Sequence, residues 1–177
     1  MIFQNSRKPI FQDGRKAHKL FMKTDLVVAG YLIDKNKVLL VNHKKRDLWL
    51  PPGGHIKKNE TPDDALKREF MEELNLNIDV VKEIGDSLCA DIKKELAVPF
   101  YVNLHKVGDH DQCCLYYLCM SRNINTIKIR KSEIKSFKWF QAKDLSKKII
   151  QADVRRIAKK AFEVRNKADE SVIKYLY

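Results

Sequence analysis

GGHIKKNETPDDALKREFMEELNL, residues 53–76, gathers Glu60, Glu69, Glu72 and Glu73 around a single Arg68, directly after two glycines. The second half of this stretch has helical spacing. Thr61 is a good N-cap, and Pro62 suits the first helical position, where a missing N–H costs nothing. Asp63 and Asp64 fall in the first turn, where the helix dipole favours negative charge. Leu66, Phe70 and Leu74 recur every four residues and form the stripe to be buried. Asn75 then ends the helix, because asparagine tolerates the left-handed conformation of a C-terminal cap. The spacing predicts a helix from about Pro62 to Leu74.

Glu69, Glu72 and Glu73 stand at i, i+3 and i+4, so all three are expected to project from one neighbouring face. Carboxylates about 4 Å apart repel by roughly 4 kcal/mol per pair at an effective dielectric near 20. One arginine cannot offset four of them, and an exposed face would interleave lysine with glutamate. Clustered hard oxygen ligands suit Mg²⁺ or Mn²⁺, which bind a few carboxylates and leave positions for water and phosphate oxygens. Glycines just before such a helix let the backbone approach a ligand closely.

Residues 54–76 resemble the Nudix box, G-x5-E-x7-R-E-U-x-E-E-x-G-U with U apolar. Gly54, Glu60, Arg68, Glu69, Phe70, Glu72, Glu73 and Leu76 fall on its positions with the spacing intact. Six matches to fixed residue types arise by chance at roughly 10⁻⁷ per window, so the motif is specific. The departure is Asn75, where the family has glycine, and the capping argument says asparagine does the same backbone job. The resemblance implies hydrolysis of a diphosphate linkage in a nucleoside diphosphate derivative. It implies Glu69, Glu72 and Glu73 as ligands of Mg²⁺ or Mn²⁺, with the Gly53 carbonyl joining them. Glu69 is the first choice for the base that takes the proton from water, with Glu133 on a later loop as the alternative. Arg68 is expected to orient Glu60 and the helix glutamates rather than touch substrate.

On either side of the box the chain alternates strand and helix patterns. The apolar runs 25–33 and 37–42 joined by Asp34–Lys35–Asn36 read as a hairpin. Pro51–Pro52–Gly53–Gly54 is expected to break regular structure. Further strands are predicted over 77–86, 99–107, 112–120 and 135–141, a short helix over 142–148 and an amphipathic helix over 151–166. Strands between helices predict an α/β fold, an α/β/α sandwich around a mixed β-sheet. The domain reading is an N-terminal extension over 1–24, the Nudix hydrolase domain over 25–148, and a basic helix over 149–177 packed on the same domain.

A chain of 177 residues, 44% hydrophobic, is enough for one core. No apolar run approaches the roughly 18 residues of a membrane span, so no membrane association is expected. Four cysteines without a CxxC pairing read as buried thiols in a reducing compartment, and the expected location is cytoplasmic. The net charge of +12 divides into +5 for 1–24, −3 for 25–120 and +10 for 121–177. Basic ends around an acidic centre suit a polyphosphate held by metal. Trp49 and His55 are candidates to contact substrate alongside Gly54, although Trp49 reads first as a packing residue. His110–Asp111 is a candidate rim. Arg155, Arg156, Lys159 and Lys160 form a basic helix face, read first as solvated surface. The leading expectation is a pyrophosphohydrolase of small nucleotides. RNA 5′-end hydrolysis, favoured by the basic ends, stands second. A silent nucleotide- or RNA-binding module stands third, disfavoured because all four box glutamates are present.

Overall fold

The computed structural model describes residues 23–82, 92–147 and 149–171. Its sheet is built on β1 (Thr24–Asp34) and β7 (His110–Met120), which pair in parallel from Thr24↔Asp111 to Leu32↔Cys119. Both strands are long because each is apolar on both faces, as a strand covered on two sides must be. Val27, Ala29, Tyr31 and Ile33 enter one core, while Val28 and Leu32 enter the other. Tyr116 and Tyr117 divide in the same way, so both rings are buried on opposite sides of the sheet.

The expected hairpin is present, with β2 (Lys37–His43) antiparallel to β1 and Lys35 at φ 51° in the turn. β2 also pairs with β3 (Leu48–Leu50) and β8 (Ile134–Gln141). β6 (Tyr101–Val107) and β5 (Asp79–Val80) pair antiparallel with β7, completing a mixed sheet of eight strands among the described residues. The strand expected over 77–86 is only two residues long where it is described, and 83–86 lie outside the described residues. The predicted short helix is a 3-10 turn, Ala142–Ser146.

One expectation holds only in part: Pro51 and Pro52 do separate β3 from the strand that follows. Gly53–Gly54 does not break regular structure, because Gly53–His55 forms β4, antiparallel to β1 in the register Val28↔Gly54 and Ala29↔Gly53. A Cβ at Gly53 would overlap the Val28 carbonyl oxygen, so glycine is what lets this strand lie so close to β1.

Two helices cover the two faces. α1 (Pro62–Leu74) buries Leu66, Phe70 and Leu74 on one side, and α2 (Ala152–Ser171) buries Val154, Ile157, Ala158 and Ala161 on the other. The layers are those of an α/β/α sandwich. Phe70 needs space in β1: a Cβ on Gly30 would come within 2.5 Å of Phe70 Cε2. On the opposite face Tyr31 donates a hydrogen bond to the Val154 carbonyl at 3.2 Å, which fixes the start of α2.

The ends of α1 follow the sequence reading. The Thr61 side chain accepts the Asp64 N–H at 3.2 Å, and Asn75 adopts φ 51°, ψ 43°. The last carbonyls are covered from elsewhere, because Lys128 N–H donates to Leu74 O and Arg130 N–H to Glu73 O, both at 2.9 Å. Asp63 does more than face the dipole: it is buried, 3.0 Å from Lys82 Nζ, and it accepts the Ala97 N–H.

Replacing Asn75 by glycine is expected to be neutral or mildly stabilising in a denaturant titration. Asn75→Val is expected to cost about 1 kcal/mol or more, because a β-branched residue resists positive φ. Equal stability of all three forms would refute the cap.

Candidate active site

Arg68 organises the carboxylates. Its Nε and Nη2 hold Glu60 at 2.8 and 3.0 Å, its Nη1 holds Glu69 at 2.6 Å, and Nη2 also donates to the His55 carbonyl at 2.9 Å. Glu72 lies farther out, 3.4 Å from Arg68 and 3.5 Å from Lys57. The two-pronged contact with Arg68, helped by the Lys57 N–H, holds the Glu60 carboxyl below its ordinary range. Arg68 thus joins α1, β4 and the Lys57–Glu60 turn.

Glu73 is the glutamate left over. It is 3% exposed, and its Oε2 has no hydrogen-bond partner. Burial pushes its pKa up to about 8, and the charges of Glu69, Glu133 and Glu72 push the same way against a hydrogen bond from the Gly53 N–H. The three helix glutamates therefore do not share one environment. Glu69 is drawn toward Arg68, Glu72 is partly exposed, and only Glu73 is sealed in.

A cavity of about 500 Å³ lies between the sheet and the start of α2, with Gly53, Gly54, His55 and Glu73 at one end. Its walls include Tyr31, Leu48, Leu50, Tyr116 and Ile157. Gly54 carries no side chain for a steric reason: a Cβ there would collide with the Glu69 carboxylate.

The other candidates are placed as follows. His55 is more than half exposed, with Nε2 3.5 Å from Asp25 Oδ2 and 3.4 Å from Gln112 Nε2. Trp49 is not a cavity residue. Its ring packs edge-on against Phe140 at 5.2 Å, and its neighbours Leu48 and Leu50 line the cavity. His110 likewise stands outside the cavity wall, 3.6 Å from Asp25, and His105 takes the wall position. Glu133 is paired with Arg130 at 3.5 Å and acts on Glu73 through its charge, without lining the cavity. On the basic helix face, Arg155 donates to the Ser146 carbonyl and Lys160 sits over the Tyr101 ring at 4.9 Å, so two of the four cations are engaged within the fold.

The sequence reading missed Gln112, Gln151 and Asp153, and the pair Lys45 and Arg46, all of which line the cavity. Only the KKR run of residues 44–46 carried a signal, a local excess of charge in a turn. The others come from β7 and the start of α2, and nothing in sequence distance joins them to the box.

No three His, Cys, Asp or Glu side chains among the described residues converge as a complete ligand set. The donor chemistry still fits a hard divalent cation. Glu73 offers a buried, unpartnered carboxylate oxygen, with Glu69 and Glu72 close enough to raise its pKa.

A NUDIX domain profile matches residues 23–161, and the chain belongs to that family. The match extends into α2, beyond the span that the box itself supports. The chain is 43% identical over 61 residues to an 8-oxo-dGTP diphosphatase of Buchnera aphidicola, covering 32% of this chain and 47% of that one. It is 30% identical over 105 residues to an RNA pyrophosphohydrolase of Helicobacter pylori, covering 58% and 64%. The chain thus spans between about half and two thirds of these relatives' length. A NUDIX-family hydrolase structure from Clostridium perfringens superposes with a TM-score of 0.72 at 30% identity, covering 80% of this chain and 97% of that one.

The raised Glu73 pKa predicts a pH dependence of stability. Without metal, the folded protein holds a proton on Glu73 up to about pH 8, whereas the unfolded chain releases it near 4.5. This protonation supports the fold fully below the unfolded pKa, and the contribution is lost as pH rises through about 8. Melting in chelator should show this loss, on the order of a few kcal/mol, and Glu73→Gln should flatten it. An unchanged profile in Glu73→Gln would refute the assignment.

Proposed function

We infer that the protein is a divalent-metal-dependent pyrophosphohydrolase that cleaves the diphosphate linkage of a nucleoside diphosphate derivative. The observation that carries this reading is Glu73, a buried carboxylate with an unpartnered oxygen, in the wall of a cavity large enough for a nucleotide. Glu69, Glu72 and Glu73, with the Gly53 carbonyl, would hold Mg²⁺ or Mn²⁺. When bound, the ion neutralises charge on the bridging and leaving phosphate oxygens.

Arg68 holds Glu69 at 2.6 Å, which fixes one carboxylate oxygen and leaves the other to take the proton from the attacking water. Glu60 keeps Arg68 in place, so it acts through the guanidinium rather than on substrate. Lys45 and Arg46 give the cavity positive charge for the phosphates, and Gly54 and His55 flank them at the box end. The apolar and tyrosine walls suit a planar base.

RNA 5′-end hydrolysis is the second reading, and the Helicobacter relative's name favours it. Against a path along α2 stands the engagement of Arg155 and Lys160 within the fold. Small nucleotides are the preferred substrates.

Two experiments test these readings. Turnover of nucleoside triphosphates, dinucleoside polyphosphates and nucleotide sugars should require Mg²⁺ or Mn²⁺ and cease in chelator. Glu73→Gln should lower it by orders of magnitude with the fold intact. Full activity in excess chelator would refute the metal assignment. Charge reversal at Arg156 and Lys159, both exposed, should leave kcat/KM for a free nucleotide nearly unchanged. If RNA is the substrate, removing each cation that meets a phosphate should flatten the salt dependence by about 0.7 in log–log slope.

A further inference from the structure

The part of the cavity wall supplied by the start of α2 is chemically distinct from the box. Gln151 and Asp153, on either side of the first residue of α2, both line the cavity. The Gln151 side-chain oxygen is buried and has no hydrogen-bond partner. An unpartnered acceptor at that depth is costly unless a ligand or water fills it. Asp153 adds a carboxylate, which accepts and cannot donate when ionised. Its charge is felt by both Tyr31 and Tyr116, whose rings line the same cavity, so it lies on the cavity side of the helix. The backbone here is fixed, because the Gln151 carbonyl accepts the Arg155 N–H at 3.0 Å and Tyr31 ties down Val154. The other amide of the cavity, Gln112, is turned toward His55 at 3.4 Å and so belongs to the box end.

We propose that Gln151 and Asp153 are the base-reading residues, a pair of acceptors selecting a nucleobase whose edge carries a ring N–H beside an exocyclic amino group, as guanine does. Adenine presents one amino group beside a bare ring nitrogen, and that nitrogen would face a carboxylate with no proton between them. Hypoxanthine keeps the ring N–H and lacks the amino group. Uracil offers a single N–H between two carbonyls. Only the two-donor edge satisfies both acceptors at once, and the tyrosine and leucine walls accept any planar ring without choosing between them.

This proposal rests on the nucleotide reading of the cavity, but its test does not require catalysis. GDP, IDP and ADP are titrated calorimetrically onto the full chain in excess chelator, so that no turnover occurs. GDP should bind about tenfold or more tightly than IDP or ADP. Gln151→Leu and Asp153→Leu should each reduce that preference to about twofold, while Asp153→Glu, which keeps the acceptor, should retain it. Circular dichroism and melting temperature establish that each variant is folded. Equal binding of the three nucleotides by the wild type, no binding of any, or a preference that survives both substitutions would overturn the proposal. Loss of the preference in the variants, alongside a wild type that hydrolyses nothing, would keep base reading and refute the enzymatic reading alone.

Discussion

Arg68 faces four carboxylates and reaches three of them. Its five donors are committed to Glu60, Glu69, the edge of Glu72 and the His55 carbonyl, and that commitment joins α1 to β4 across the turn between them. What it cannot reach is Glu73, and the uneven division gives the site its polarity. The satisfied glutamates stay near the solvent-facing edge. The unsatisfied one is held in the wall of the cavity, where burial and like charges keep a proton on it up to about pH 8. Breaking the link to Glu60 would free Arg68 to move, and with it β4, the strand at the box end of the cavity.

The sequence disclosed those parts of the molecule that depend on neighbours in the chain. α1 runs between the predicted residues, Thr61 caps it, and Asn75 takes the left-handed conformation, because each of these is decided within a few residues. The hairpin and the long central strands were legible for the same reason: β1, β2 and β7 are apolar on both faces and read as continuous runs. β4 was not legible. Two prolines and two glycines resemble a breaker, and only the nearness of β1 turns the glycines into a strand. Trp49 was legible as a packing residue but its partner was not, because Phe140, whose ring it meets edge-on, lies far along the chain.

The proposed metal-binding and base-binding halves of the cavity differ in how the chain supplies them. The first is contained in the twenty-odd residues of the box, so its chemistry could be argued from spacing alone. The second draws on β7 and on the start of α2, and neither carries a motif. A residue such as Gln151 becomes informative only when its side-chain oxygen is found buried with nothing to bind. That is why the class of reaction is easier to read from this sequence than the choice of substrate.

The parallel pairing of β1 with β7 also bears on the order of events during synthesis. Antiparallel neighbours such as β2 and β4 emerge soon after β1, but β7 follows only after the box helix, β5 and β6. Pairing between such distant segments forms late, because closing the intervening chain costs entropy before any hydrogen bond offsets it. A nascent chain on the ribosome would therefore carry its glutamates and its glycine strand before it has a pocket, with one edge of β1 still open. Until β7 arrives, that apolar edge is the part of the molecule most exposed to pairing with the wrong strand.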